Sequence, residues 1–200
     1  PMYEEVVAGY SAQLGPEHPD TAISMNNFAI FQKNQGNYAE AAELFRESLR
    51  IREYALGEAH PKVGITLRNL ANVYKSLEQY EKAEPLYVRA LTLRQNTLGK
   101  LHPKTLTSTN NLAWFLLARG SRQARTYFVD CLKGWTDTTD WNHHWAKLGV
   151  ALCEGLDSGS FEAAESVIRD MTDLLGADHE RVQKGHEKLT HVKGLKADIS

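Results

Sequence analysis

Apolar residues recur along this chain at offsets of three, four and seven, and no stretch alternates with a period of two. In residues 63–77 the set is Ile65, Leu70, Ala71, Val73, Tyr74 and Leu77. In residues 80–98 it is Tyr80, Ala83, Leu86, Tyr87, Ala90, Leu91 and Leu93. Offsets of this kind put one apolar stripe on an α-helix, whereas a half-buried strand would alternate. A break near Glu78-Gln79-Tyr80 separates the two stripes, so the segment reads as two antiparallel helices.

The same pair is written more than once. Leu-Gly-x-x-His-Pro occurs at residues 14–19, 56–61 and 98–103, an interval of 42 residues each time. A fixed period of about 20–50 residues marks a solenoid, in which each unit buries its apolar face only against its neighbours. The glycines Gly15, Gly57 and Gly99 close a helix with positive φ. The prolines Pro19, Pro61 and Pro103 open the next one, where no amide hydrogen bond is lost. Gly36-Asn37-Tyr38 and Gly120-Ser121 mark the turn inside a unit, and Ala29, Ala71 and Ala113 let its helices approach.

The first helices carry Asn26-Asn27-Phe28-Ala29, Arg68-Asn69-Leu70-Ala71 and Asn110-Asn111-Leu112-Ala113. The second helices carry Ser48-Leu49-Arg50-Ile51-Arg52-Glu53 and Tyr80-Glu81-Lys82-Ala83-Glu84-Pro85-Leu86-Tyr87. These motifs resemble the tetratricopeptide repeat, in the 42-residue form of kinesin light chains. The resemblance implies an all-α fold, a right-handed superhelix of antiparallel helix pairs forming one solenoid. Its expected parts are a leading second helix (1–14), repeats at 15–56, 57–98, 99–136 and 137–176, and a capping helix and tail at 177–200. The third repeat has a degenerate second helix, and the fourth opens on the divergent Trp145-Ala146-Lys147-Leu148-Gly149. Pro1-Met2-Tyr3 stands two periods before Pro85-Leu86-Tyr87, so the chain is expected to open inside a second helix, as part of a longer array. That end would be available for pairing with another copy.

Composition narrows the functional classes. The net charge of −2 gives no general attraction to nucleic acid or to a membrane surface. No apolar run approaches the ~20 residues of a membrane span. Two cysteines, Cys131 and Cys153, are too few for a disulfide framework and are expected as buried thiols in the cytoplasm. His18, His60 and His102 repeat at the spacing of stacked helices, about 8–10 Å, too far apart to share one ion. They are expected to hold the turn. Asp140 and His144 share a helix face, but two ligands do not make a zinc site. No nucleophile–base order, phosphate loop or zinc-protease run is present, so neither catalysis nor a cofactor is expected.

The resemblance implies that the first helices line a concave face that binds a peptide. Matched residue by residue, its groove positions are Asn26, Ile30, Lys33 and Asn34, then Arg68, Asn72 and Lys75, then Asn110, Trp114 and Leu117. Asparagine amides bind a peptide backbone through both donors and acceptors. Lys33, Arg68 and Lys75 favour an acidic ligand. Trp114 and Leu117 are expected to form a pocket for one bulky apolar side chain. Asn27, Asn69 and Asn111 recur in every unit and are expected to bond backbone groups between units. The partner is therefore expected to be an acidic protein segment with a bulky apolar residue. The alternative is a regulatory arm packing on further domains of a kinase or nucleotide-hydrolysing switch.

Overall fold

The computed structural model describes residues 2–199, with side chains through Asp198. Pro1, which begins the expected alignment with Pro85, lies outside the described residues, as does Ser200. The described residues form α-helices joined by short turns, without strands. None of these helices is long and apolar enough to cross a membrane. The chain divides into two compact units, Pro1–Lys100 and Leu101–Ser200.

Unit 1 contains α1 (Met2–Leu14), α2 (Pro19–Asn34), α3 (Tyr38–Leu56), α4 (Pro61–Ser76) and α5 (Tyr80–Leu98). Helix α2 pairs with α3, α4 pairs with α5, and α3 also packs on α4. Phe45, Leu67, Leu70, Val63 and Val73 fill the core, with Ala29 and Ala41 permitting close approach. The Ser48 hydroxyl donates to the Ala22 carbonyl of α2 at 2.7 Å. Buried Arg52 donates to the Thr66 hydroxyl at 2.5 Å and to the Lys62 carbonyl at 3.2 Å, fixing α3 against the start of α4. Burial without a carboxylate partner lowers the pKa of Arg52.

Unit 2 contains α6 (Pro103–Leu117), α7 (Ala124–Gly134), α8 (Trp141–Ser158), α9 (Glu162–Leu175) and α10 (Glu180–Ile199). Its successive helices pack on one another, and α10 packs on both α8 and α9. Phe128 is fully buried, and Gly149 of α8 lies so close that an added Cβ would sit 2.5 Å from its ring. Burial pushes the thiols of Cys131 and Cys153 up to about 12.

The repeated histidines have a definite task. His18, His60 and His102 stand at the N-caps of α2, α4 and α6, each with extended backbone. Each Nδ1 accepts the backbone N–H two residues on, at 3.1, 3.2 and 3.1 Å. His179 makes the same bond to Arg181 at 3.2 Å ahead of α10, without the proline. An acceptor Nδ1 places the ring proton on Nε2 and answers one of the unpaired amides of the first turn. Asp140 caps α8 by accepting from Asn142 N, so its carboxylate serves the backbone rather than His144.

Candidate interaction face on the first helices

In unit 1 the face of α2 and α4 combines an orphaned amide with cations. Asn26 is buried, and its Oδ1 has no hydrogen-bond partner. Ile30 is half-buried against the core, Lys33 is half-buried one turn further on, and Asn34 ends the helix exposed. Forty-two residues after Asn26 stands Arg68, half-buried, whose Nε is also buried without a partner. Its charge acts on Tyr87 and Arg94, but no carboxylate is paired with it among the described residues. Asn72, one turn on, is already engaged: its Oδ1 accepts from the Tyr87 hydroxyl at 2.5 Å. Burial pushes the Tyr87 phenol up, with Arg68 opposing. Lys75 is exposed in the last turn of α4.

Unit 2 treats the equivalent positions differently. Asn110 is buried with an unpartnered Oδ1, as Asn26 is. Trp114 is only 8% exposed and Leu117 only 1%. The indole of Trp114 packs edge-on to Phe128, with centroids 5.0 Å apart, and against Trp145 at 4.8 Å. Lys188 of α10 lies over the same ring at 5.6 Å, and the His191 Nε2 meets the Ala118 carbonyl at 3.1 Å. The expected pocket around Trp114 and Leu117 is thus corrected. Phe128 and Trp145 already occupy the space beside the indole, and Leu117 has no surface left to offer.

A second correction concerns the paired asparagines. Asn27 is exposed, Asn69 and Asn111 are half-buried, and none of their side chains forms a hydrogen bond among the described residues. The buried amides are their neighbours Asn26 and Asn110. Successive helical residues point about 100° apart, so a shift of one position decides which amide turns inward. The sequence reading also missed Tyr87, Lys188 and His191. Tyr87 was visible as an apolar-stripe residue with a polar tip; Lys188 and His191 carry no repeat signal.

The family profile described as tetratricopeptide repeat matches residues 1–54, 30–94 and 62–137. The chain belongs to the tetratricopeptide repeat family. As a tetratricopeptide repeat protein it resembles BtubC (BKLC) of P. vanneervenii at 21% identity and a TM-score of 0.74, over 88% of this chain and 71% of that one. It also resembles a P. anserina kinesin light chain-like protein with nearly identical TPR-like repeats, at 21% identity and a TM-score of 0.69, over 96% of this chain and 84% of that one. Such likenesses show the fold. A comparison with curated proteins gives no match.

Proposed function

We propose that this tetratricopeptide repeat protein is a non-catalytic interaction module that takes an extended acidic peptide along the α2–α4 face of unit 1. The observation that carries the reading is the set of orphaned polar atoms at one register position. Asn26 Oδ1, Arg68 Nε and Asn110 Oδ1 stand 42 residues apart, each buried without a partner. A buried unpaired polar group costs about 1–3 kcal/mol, so a ligand that supplies the missing partner recovers that cost on binding. In unit 1 the orphans are an acceptor and a cation, which suit a peptide N–H and a carboxylate respectively. Lys33 and Lys75 add positive charge on the same helices.

The test is fluorescence polarisation with a labelled, glutamate-rich peptide containing one tryptophan, at two salt concentrations. Arg68→Glu is expected to weaken binding about tenfold to a hundredfold and to flatten its salt dependence. Equal affinity for wild type and a folded Arg68→Glu protein, or no binding to wild type, overturns the assignment.

A further inference from the structure

Helix α10 is held in unit 2 largely through its cations. The Arg181 guanidinium stacks on Trp141, 3.8 Å from the ring centroid, and Lys188 lies 5.6 Å over Trp114. Lys193 lies 5.8 Å over Phe161 and bonds the Glu165 carboxylate at 2.8 Å. Lys196 donates to the Leu156 carbonyl at 2.8 Å, and the His191 Nε2 meets the Ala118 carbonyl at 3.1 Å. Those carbonyls stand in the last turn of α8 and at the C-cap of α6, where helix carbonyls lack intrahelical partners and the dipole is negative. Ring faces, a carboxylate and two helix ends thus make a seat for positive charge.

Helix α10 is a weak occupant of that seat. Its buried apolar side chains are Val182, Leu189 and Val192, while Gln183, Lys184, Glu187 and Thr190 are exposed. Two glycines interrupt it. Gly185 brings α10 close to α8 and α9, since an added Cβ would lie 3.5 Å from Leu148 and Ile168. At Gly194 a Cβ would meet nothing within 4 Å. Glycine inside a helix weakens it relative to alanine, and at position 194 no packing requires one. Lys188 covers the Trp114 ring but leaves the indole N–H without a hydrogen-bond partner among the described residues. Asn110 Oδ1, one turn back on α6, has none either. The Lys193–Glu165 pair is nearly half exposed and open to screening by salt.

We propose that α10 is the displaceable resident of this seat, and that the partner it gives way to is a basic amphipathic helix. Such a helix presents an apolar stripe at the offsets of Val182, Leu189 and Val192. Lysines or arginines flanking the stripe reach Trp141, Trp114, Glu165 and the two helix-end carbonyls. Charge complementarity selects this class: an acidic helix would set its carboxylates against Glu165, the negative ring faces and the helix C-termini. The site lies within unit 2 and does not depend on the reading of the α2–α4 face as an acidic-peptide site.

Hydrogen exchange of the whole chain, with fluorescence polarisation of a labelled synthetic peptide of residues 180–199 added to it, tests this. The amides of α10 are expected to exchange at least about tenfold faster than those of α8, and faster still in high salt. Gly194→Ala, at an exposed position, is expected to slow that exchange about fivefold and to weaken peptide binding by the same factor, since both need α10 to leave. A peptide carrying Arg181→Glu, Lys188→Glu and Lys193→Glu is expected not to bind. Arg68→Glu in the chain is expected to change neither measurement, which separates this site from the unit 1 face. Exchange of α10 in step with α8 makes it a fixed cap and overturns the proposal. So does a wild type that takes up no peptide, or one that binds the charge-reversed peptide equally well.

Discussion

Asn72 in unit 1 and Trp114 in unit 2 occupy the same register position on a first helix, and the two units use it in opposite ways. Asn72 stays half-buried, with its amide oxygen held by Tyr87, and it lies on a face that also carries Arg68 and Lys75. Trp114 has turned into a core residue, enclosed by Phe128 and Trp145 and roofed by Lys188. One repeat grammar therefore supports a polar surface in one half and an aromatic cluster in the other. What differs is the neighbourhood. Helix α7 has 11 residues where α3 and α5 have 19, and tryptophan-bearing α8 follows it. Loss of register after α6 goes with the conversion of a surface position into packing.

The sharpest way to break this comparison is to truncate both residues. Trp114→Ala removes a buried indole and is expected to cost about 3–5 kcal/mol of stability. Asn72→Ala leaves the Tyr87 hydroxyl without its partner and is expected to cost about 1 kcal/mol. Urea unfolding measures both. A Trp114→Ala protein within 1 kcal/mol of wild type, by the same scale of core truncations, would return Trp114 to the surface.

The reasons behind these two positions also explain what was legible in the sequence. Helices and turns could be read because their signals are local: the apolar period, the positive-φ glycines, and the His-Pro that starts each first helix. Arg68 could be singled out because it breaks a strict repeat and brings charge with it. The burial of Trp114 and Leu117 could not be read from position alone. It depends on Phe128 and Trp145, which arrive from segments where the 42-residue ruler fails. Asn26 and Asn27 illustrate a finer limit: both fit the motif, and only the rotation of the helix decides which one is buried.

A middle-sized effect distinguishes the units at their internal turns. Gly36, Glu78 and Gly120 are equivalent, and all three have positive φ, 84°, 57° and 70°. Each donates its N–H to the carbonyl three residues back. Left-handed backbone costs a residue with a Cβ roughly 1–2 kcal/mol, partly offset by the lower chain entropy it has to lose compared with glycine. Glu78→Gly is expected to stabilise unit 1 by about 0.5–1 kcal/mol, and Gly120→Ala to destabilise unit 2 by about 1 kcal/mol. Thermal melts of the two variants should move in opposite directions. A fall in Tm for Glu78→Gly would mean that the glutamate contributes something its strained backbone conceals.

The smallest expected effect is electrostatic and concerns how the loop before α2 is tied to α3. Arg50 donates to Glu17 at 2.5 and 2.8 Å and to Glu47 at 2.6 Å. In unit 2 surface ties such as Arg122 with Asp157 and Arg125 with Glu154 are single pairs. Hydrogen bonds from Arg50 hold the carboxyls of both Glu17 and Glu47 below the ordinary glutamate value. A carboxyl with a depressed pKa in the folded state stabilises above its unfolded value, about 4.3 for glutamate, and loses that contribution as pH falls through the lowered one. The Tm of wild type should therefore exceed that of Arg50→Ala at pH 6, with the gap closing as the pH is taken below 4.3 toward 3. Exposure keeps the gap small, and added salt should narrow it further. A gap that persists unchanged into acid would assign the effect of Arg50 to the packing of its aliphatic stem, and the tie between the loop and α3 in unit 1 would then be apolar.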